Sequence, residues 1–351
     1  TVSQFGPSLL RNFMADRFNQ IVLGAFIATF IYSLIVLRTI QDSGAGIFIP
    51  RVAISVSIAL VLASFGLLIY FFHHVATSIH PDNVIDSVYH QLVTSINRFF
   101  PGEFDNPPEK EEERQEAGLN FDNGASLIRS TKSGYLRFLD EDRLLSLARE
   151  NDVVIKVHYR PGNFVFAGTP LISVSPGKDF DPDTEDSVQS AFFLGSSRTP
   201  ENDIEFSIHQ FVEVALRALS PGINDPYTAI SCIDRLGASL CAMNEKRFPT
   251  PSQFDDQGKL RLILNVVDYD GILDAAFNQI RQYGRGNVDI NIRLLEILHV
   301  AAMTTRDKKR YASIKRHGEM IYRACSEAIP EKDDRKDVDE RFKTLLSQLE
   351  G

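Results

Sequence analysis

Two long apolar runs break the otherwise mixed pattern of the chain, Phe18–Leu37 and Val52–Phe72, and neither contains Asp, Glu, Lys, Arg or His. At about 1.5 Å rise per residue, each makes a helix about 30 Å long, the thickness of a bilayer's hydrocarbon core. Arg17, Arg38, Arg51 and the His73–His74 pair bracket the runs. The pattern predicts a transmembrane helical hairpin over residues 18–76. Core helices of soluble proteins seldom carry so long an apolar run. Neither run has the basic start, short apolar stretch and small-residue cleavage site of a signal peptide.

The flanks read differently. In residues 1–17, Leu9, Leu10, Phe13 and Met14 share one helical face, predicting an interfacial helix. Residues 77–100 predict an amphipathic juxtamembrane helix that restarts at Pro81. Val84, Ile85, Val88, Leu92, Val93, Ile96 and Phe99 recur there at three- and four-residue steps. Its lack of lysine favours packing on a partner subunit over lying on lipid. Residues 101–119 predict a solvated acidic linker, since positions 101–118 hold seven acids against two bases.

From 120 to 178 the period shortens, predicting a small β domain. ASLIRS, GYLRF, DVVIKVHY, FVFAG and PLISVS alternate or run β-branched, RPGN is a turn signal, and DEDRLLSLARE inserts one helix. The order of strands and turns through RPGNFVFAGTPL resembles the half-barrels of lipoyl and membrane-fusion adaptor proteins, so a small β half-barrel is expected. No lysine sits at a hairpin tip, and a swinging-arm role is not carried over. Residues 177–188 read as an acidic loop. The remainder of 179–351 predicts a helical bundle: helices from 201 and from Asp225, a strand at KLRLILNVV, then helices over 268–283, 288–305, 307–327 and 332–349. The expected fold class is an α-helical membrane protein, a transmembrane hairpin joined to a cytosolic α+β region.

A net charge of −9 and a pI near 5.4 argue against nucleic acid as a partner. Cys232, Cys241 and Cys325 lack metal-ligand spacing and are odd in number, so they read as reduced thiols and place the soluble part in the cytoplasm. Small residues four apart, Gly24 with Ala28 and Ala59 with Ala63, allow close helix approach. Ser57 and Ser64 are the candidate pore-lining residues. The spans hold no ionisable group of the kind that marks proton relays.

Three sets of polar residues invite chemistry. Glu205, His209 and Glu213 fall at i, i+4 and i+8, two carboxylates about an imidazole that suit a divalent metal; the alternative is that Arg198 and Arg217 pair with these acids and bury them. Asn224 and Asp225, on a tight corner, are candidates to coordinate a cation or cap a neighbouring subunit; the alternative is a structural corner, in which Asp225–Pro226 is a helix cap followed by proline at the first helical position. Lys308, Lys309, Arg310, Lys315 and Arg316 concentrate positive charge that suits anionic lipid. No Walker, G-x-G-x-x-G, H-E-x-x-H, G-x-S-x-G or CxxC pattern occurs. No enzyme is therefore indicated, and no cofactor beyond the candidate metal.

The runs ALRALSPGINDPYTA (Ala215–Ala229), GSSRT (Gly195–Thr199) and FGPSLLRNF (Phe5–Phe13) resemble a bacterial family known only as predicted membrane proteins of unknown function. The resemblance implies a multi-pass protein of the bacterial inner membrane with a further hydrophobic hairpin upstream. Two short spans cannot enclose a pathway alone, so the leading expectation is a homo-oligomeric channel or permeation pore with a cytosolic regulatory domain. The alternative is a membrane-anchored scaffold or ligand sensor, and the third reading is a metal-dependent membrane hydrolase.

Overall fold

The computed structural model describes residues 17–39, 41–42, 47–48, 50–78, 81–100, 102, 121, 124–178 and 180–350. The interfacial helix expected over 1–17 and the acidic linker expected over 101–119 lie outside the described residues, apart from Arg17 and Gly102. The chain divides into two units, residues 1–87 and 88–351.

The first unit is built on α1 (Arg17–Thr39) and α2 (Arg51–Ser78), joined through a short antiparallel pair, β1 (Gln41–Asp42) and β2 (Ile47–Phe48). The two helices pack on each other, and both are long and apolar enough to cross a membrane. Polar side chains mark their seam. Ser33 Oγ and Ser57 Oγ lie 2.9 Å apart, and Ser64 Oγ donates to Thr29 Oγ1 at 3.1 Å. At one end Phe18 meets the rings of Tyr70 and His74 edge-on. The outward faces are apolar, with Ile21, Leu23, Phe30, Leu62 and Ile69 between 62% and 72% exposed.

The second unit takes in the later turns of α3 (Pro81–Phe99). Val88, Leu92, Ile96 and Phe100 are buried, four residues apart on one face. Leu92 meets Ile208, Leu236, Leu240 and Phe277 around a small internal void. Val88, Leu92 and Ile96, from the stripe expected to face a partner subunit or lipid, are therefore buried in the core of their own chain.

Two sheets follow. β3 (Ser126–Arg129), β7 (Pro170–Ser175), β5 (Val154–Val157), β10 (Leu260–Ile263) and β9 (Ser252–Phe254) form one, in that spatial order. All neighbours are antiparallel except β5 and β10, where Ile155 lies opposite Leu262. β6 (Phe164–Val165), β4 (Gly134–Leu139) and β8 (Phe192–Gly195) form the second. α4 (Glu141–Glu150) and α5 (Pro182–Ala191) cover them, placing Leu144, Ala148, Val188 and Ala191 in one apolar core with Leu136, Ile155, Ile172 and Leu262. This corrects two expectations. The sheet region is not closed within 120–178, since β8, β9 and β10 come from beyond it, and the acidic stretch at 182–191 is a helix capped by Asp181.

The helical part comprises α6 (Ile204–Ala218), α7 (Pro226–Asn244), α8 (Tyr269–Gly284), α9 (Val288–Thr304), α10 (Arg310–Ala328) and α11 (Lys332–Glu350). α9 packs against α7, α10 and α11, and α6 against α7 and α8. The α7–α9 crossing depends on Gly237, where a Cβ would come within 2.5 Å of the Ile297 side chain.

Candidate functional site

The second unit contains a cleft of about 370 Å³ where the end of α3, the β4–α4 junction, the turn after β5, the start of α6 and the segments flanking β9 and β10 meet. The turn is the RPGN signal read from the sequence. Gly162 adopts φ +96°, and a Cβ there would run into the Asp203 carboxylate. Only glycine suits both the left-handed backbone and the close approach. The Arg160 backbone N–H donates to Asn163 Oδ1 and that of Gly162 to the Leu136 carbonyl, which fixes the turn against β4.

Arg160 is consequently held at the cleft with its nitrogens committed. It donates from Nε and Nη2 to the Glu205 carboxylate at 2.9–3.2 Å, and from Nη1 to Asn265 Oδ1 at 3.0 Å. Asn265 Nδ2 donates in turn to the His158 carbonyl, which sets its amide orientation. Next to this pair Asp203 caps α6 by accepting from the Phe206 N–H, and it receives two hydrogen bonds from Arg198. Arg198 belongs to the GSSRT run, whose Ser197 accepts from Arg137 of β4. That run straps β4 to the start of α6.

Two charged groups at the cleft are held differently. Arg98 donates to Asn202 Oδ1 at 3.4 Å, and Glu141 accepts from Gln253 Nε2 at 2.6 Å. Glu141 keeps solvent-accessible surface, but the protein crowding its carboxyl desolvates it and pushes its pKa up, more than the Gln253 bond lowers it. Phe99, Phe100, Phe138, Leu264 and Val266 supply apolar wall.

Of the candidate site residues named from the sequence, Glu205 alone lines this cleft. His209 sits one turn on, its Nδ1 3.1 Å from Arg198 Nη1, and burial followed by the Arg198 charge lowers its pKa. Glu213 pairs with Arg217 at 3.2 Å. A guanidinium thus stands against each member of the row proposed as a metal site. Among the described residues no three His, Cys, Asp or Glu side chains are placed to hold a metal. Asn224 and Asp225 lie beyond the other end of α6, about 22 Å away along a 15-residue helix. Asn224 takes φ +49°, and Asp225 accepts from the backbone N–H and the hydroxyl of Thr228, so the corner's polar groups cap α7.

The basic cluster divides as well. Lys308, Lys309 and Lys315 are exposed, whereas Arg316 reaches Asp270 and Asp274, and Arg310 is buried. The Arg310 guanidinium lies 5.0 Å from the ring centres of both Phe248 and Tyr269 and donates to the carbonyls of Met243, Asn244 and Lys246. It closes the end of α7 and is removed from any lipid surface. The pore-lining candidates Ser57 and Ser64 bond across the α1–α2 seam. Cys232, Cys241 and Cys325 are free thiols, and burial pushes Cys232 up to about 12.

Residues 1–300 match the family described as "Predicted membrane protein (DUF2254)". The chain belongs to this family. Among curated relatives, an uncharacterized protein of Mycobacterium bovis and one of Mycobacterium tuberculosis are each 32% identical over 342 residues, covering 95% of this chain. The chain spans 64% of the length of these relatives. No solved structure matches it. For this DUF2254 chain the match supports a predicted membrane protein of unknown function with two candidate spans.

The cleft residues Arg98, Glu141, Arg160, Gln253 and Asn265 were not legible as a set. Arg160 precedes a Pro-Gly turn, Glu141 opens a helix and Arg98 lies off an apolar stripe, so each has an ordinary local role. The one local signal is RPGN, which holds an arginine at a fixed turn. The β5–β10 pairing brings Arg160 and Asn265, about a hundred residues apart, side by side.

Proposed function

We propose that this protein is a membrane-anchored ligand-binding protein. α1 and α2 cross the bacterial plasma membrane as a hairpin, and residues 88–351 stand in the cytoplasm with the cleft as their binding site. The observation that carries this reading is the convergence at the cleft. Apolar walls surround a fixed Arg160–Glu205 pair, and among the described residues Arg98 and Glu141 are each held only by a neutral amide. Small-molecule sites are built in this way, with a largely apolar concavity and a few preset polar groups. The outward apolar faces of α1 and α2 support the anchor.

A pore wall needs polar groups on a face left open to other copies. Ser57 and Ser64 are spent within the hairpin of one chain, which favours an anchor over a conducting wall. The hydrolase reading loses its metal row to arginine pairing.

Native mass spectrometry of the detergent-solubilised protein, with small-molecule analysis of the same sample, tests the proposal. The expected result is a retained small molecule that disappears in Thr250→Trp, which fills the cleft. A closed ring of four or more subunits with no retained molecule would instead support the homo-oligomeric channel.

A further inference from the structure

We propose that the cleft takes a short apolar peptide of two or three residues with free ends, its carboxylate received by Arg98 and its ammonium group by Glu141. The proposal rests on the reading of the cleft as a ligand site and names the class of ligand.

The argument starts from a charge inventory. Five charged side chains line the cleft: Arg98, Glu141, Arg160, Asp203 and Glu205. Arg160 and Glu205 neutralise each other, and Arg198 neutralises Asp203. One base and one acid remain. Among the described residues neither has a charged partner: Arg98 rests on the Asn202 amide and Glu141 on the Gln253 amide. Amides orient a charge without cancelling it. The complement of one cation and one anion without charged partners, on walls that are largely apolar, is a zwitterion with an apolar body. Both new contacts are charge-assisted, and such hydrogen bonds are about twice as strong as neutral ones.

Spacing sets the length of that body. Asn202, which holds Arg98, also donates from Nδ2 to the Arg137 carbonyl. From there Phe138 and Leu139 run along the cleft wall to Glu141. Four residues cover at most about 14 Å, an upper limit on the backbone separation that the Arg98 and Glu141 side chains span. An extended peptide of two or three residues spans about 7–10 Å. Its two charges stand at opposite ends of that length, whereas a free amino acid carries both on one carbon. The cleft volume of about 370 Å³ is the room of roughly a dozen waters at about 30 Å³ each. Phe99, Phe138 and Val266 provide surface for the apolar side chains.

Calorimetric titration of the full chain in detergent decides the matter, with leucyl-leucine as probe against its N-acetyl form, its C-terminal amide and free leucine. Leucyl-leucine is expected to bind, with each blocked form about tenfold weaker or worse, which corresponds to about 1.4 kcal/mol. Arg98→Gln is expected to abolish the preference for acid over amide, and Glu141→Gln the preference for free amine over acetyl. Both side chains are exposed, and unchanged melting temperatures verify folding. Equal binding of the free and blocked peptides overturns the proposal. So does a retained molecule that Thr250→Trp expels but that is a phospholipid or carries a single charge, although the cleft then remains a ligand site. If Thr250→Trp changes nothing that binds, the ligand reading itself falls.

Discussion

Replacing Arg310 by methionine separates a structural role from a lipid-binding one. The guanidinium makes one hydrogen bond at 3.1 Å to the Lys246 carbonyl and longer ones at 3.3–3.4 Å to Met243 and Asn244, and it lies 5.0 Å from the centres of two aromatic rings. A hydrogen bond to a charged group contributes about 1.5–3 kcal/mol, and a desolvated cation–π contact contributes about 2 kcal/mol. Methionine recovers about 1 kcal/mol through sulfur–aromatic contact, leaving a loss of about 3 kcal/mol. For a domain of this size, each kcal/mol moves the melting temperature by about 2–4 °C. Arg310→Met should therefore melt roughly 6–12 °C lower, and Arg310→Lys, which keeps a charge and fewer bonds, should fall between. Thermal unfolding in detergent, followed by circular dichroism, measures this. Melting within 1 °C of wild type, with weakened binding to anionic vesicles, would refute the reasoning and return Arg310 to a surface role.

Two further predictions concern titration and capping. Burial, and then the Arg316 charge, push His317 down to about 4, while the unfolded chain takes up its proton near pH 6.5. Its neutral form therefore stabilises the fold fully above pH 6.5, and about 3 kcal/mol is lost as the pH falls from 6.5 through 4. Denaturant titrations across that range should show the fall, and His317→Gln should flatten it. At the α6–α7 corner, Asp225→Ala removes the cap of α7 and should cost about 1 kcal/mol. Asn224→Gly, at φ +49°, should be tolerated where Asn224→Val is not. Parallel melts compare the three variants.

The helices were the legible part of the fold. Asp225–Pro226, Asp268 and Asn287 each cap a helix whose start the sequence marks, and the apolar period carries α7, α8 and α9 to within a residue or two of their observed ends. α5 was missed because its ten residues offer only Val188 and Ala191 to the core, too few for a visible period. The sheets were half legible. Strand patterns are local, but the parallel pairing of β5 with β10 joins segments about a hundred residues apart and leaves no local trace. The same distance hid the cleft, where Arg160 is fixed by Glu205 and Asn265. The Glu205–His209–Glu213 row was legible as a helical face, and so was the Arg217 that pairs with Glu213. Arg198 reaches His209 and Asp203 instead of the row's acids, and the pairing of Arg160 with Glu205 left no local trace.

The most direct test of the account is hydrogen exchange of the full chain in lipid nanodiscs, as purified and after exhaustive dialysis of small molecules. If the cleft holds a ligand, amides in 98–100, 249–253 and 264–267 should exchange faster after dialysis while those of α9 stay unchanged, and Thr250→Trp should show no such difference. Identical exchange in those segments before and after dialysis, from a sample shown to have lost a bound molecule, would contradict the account.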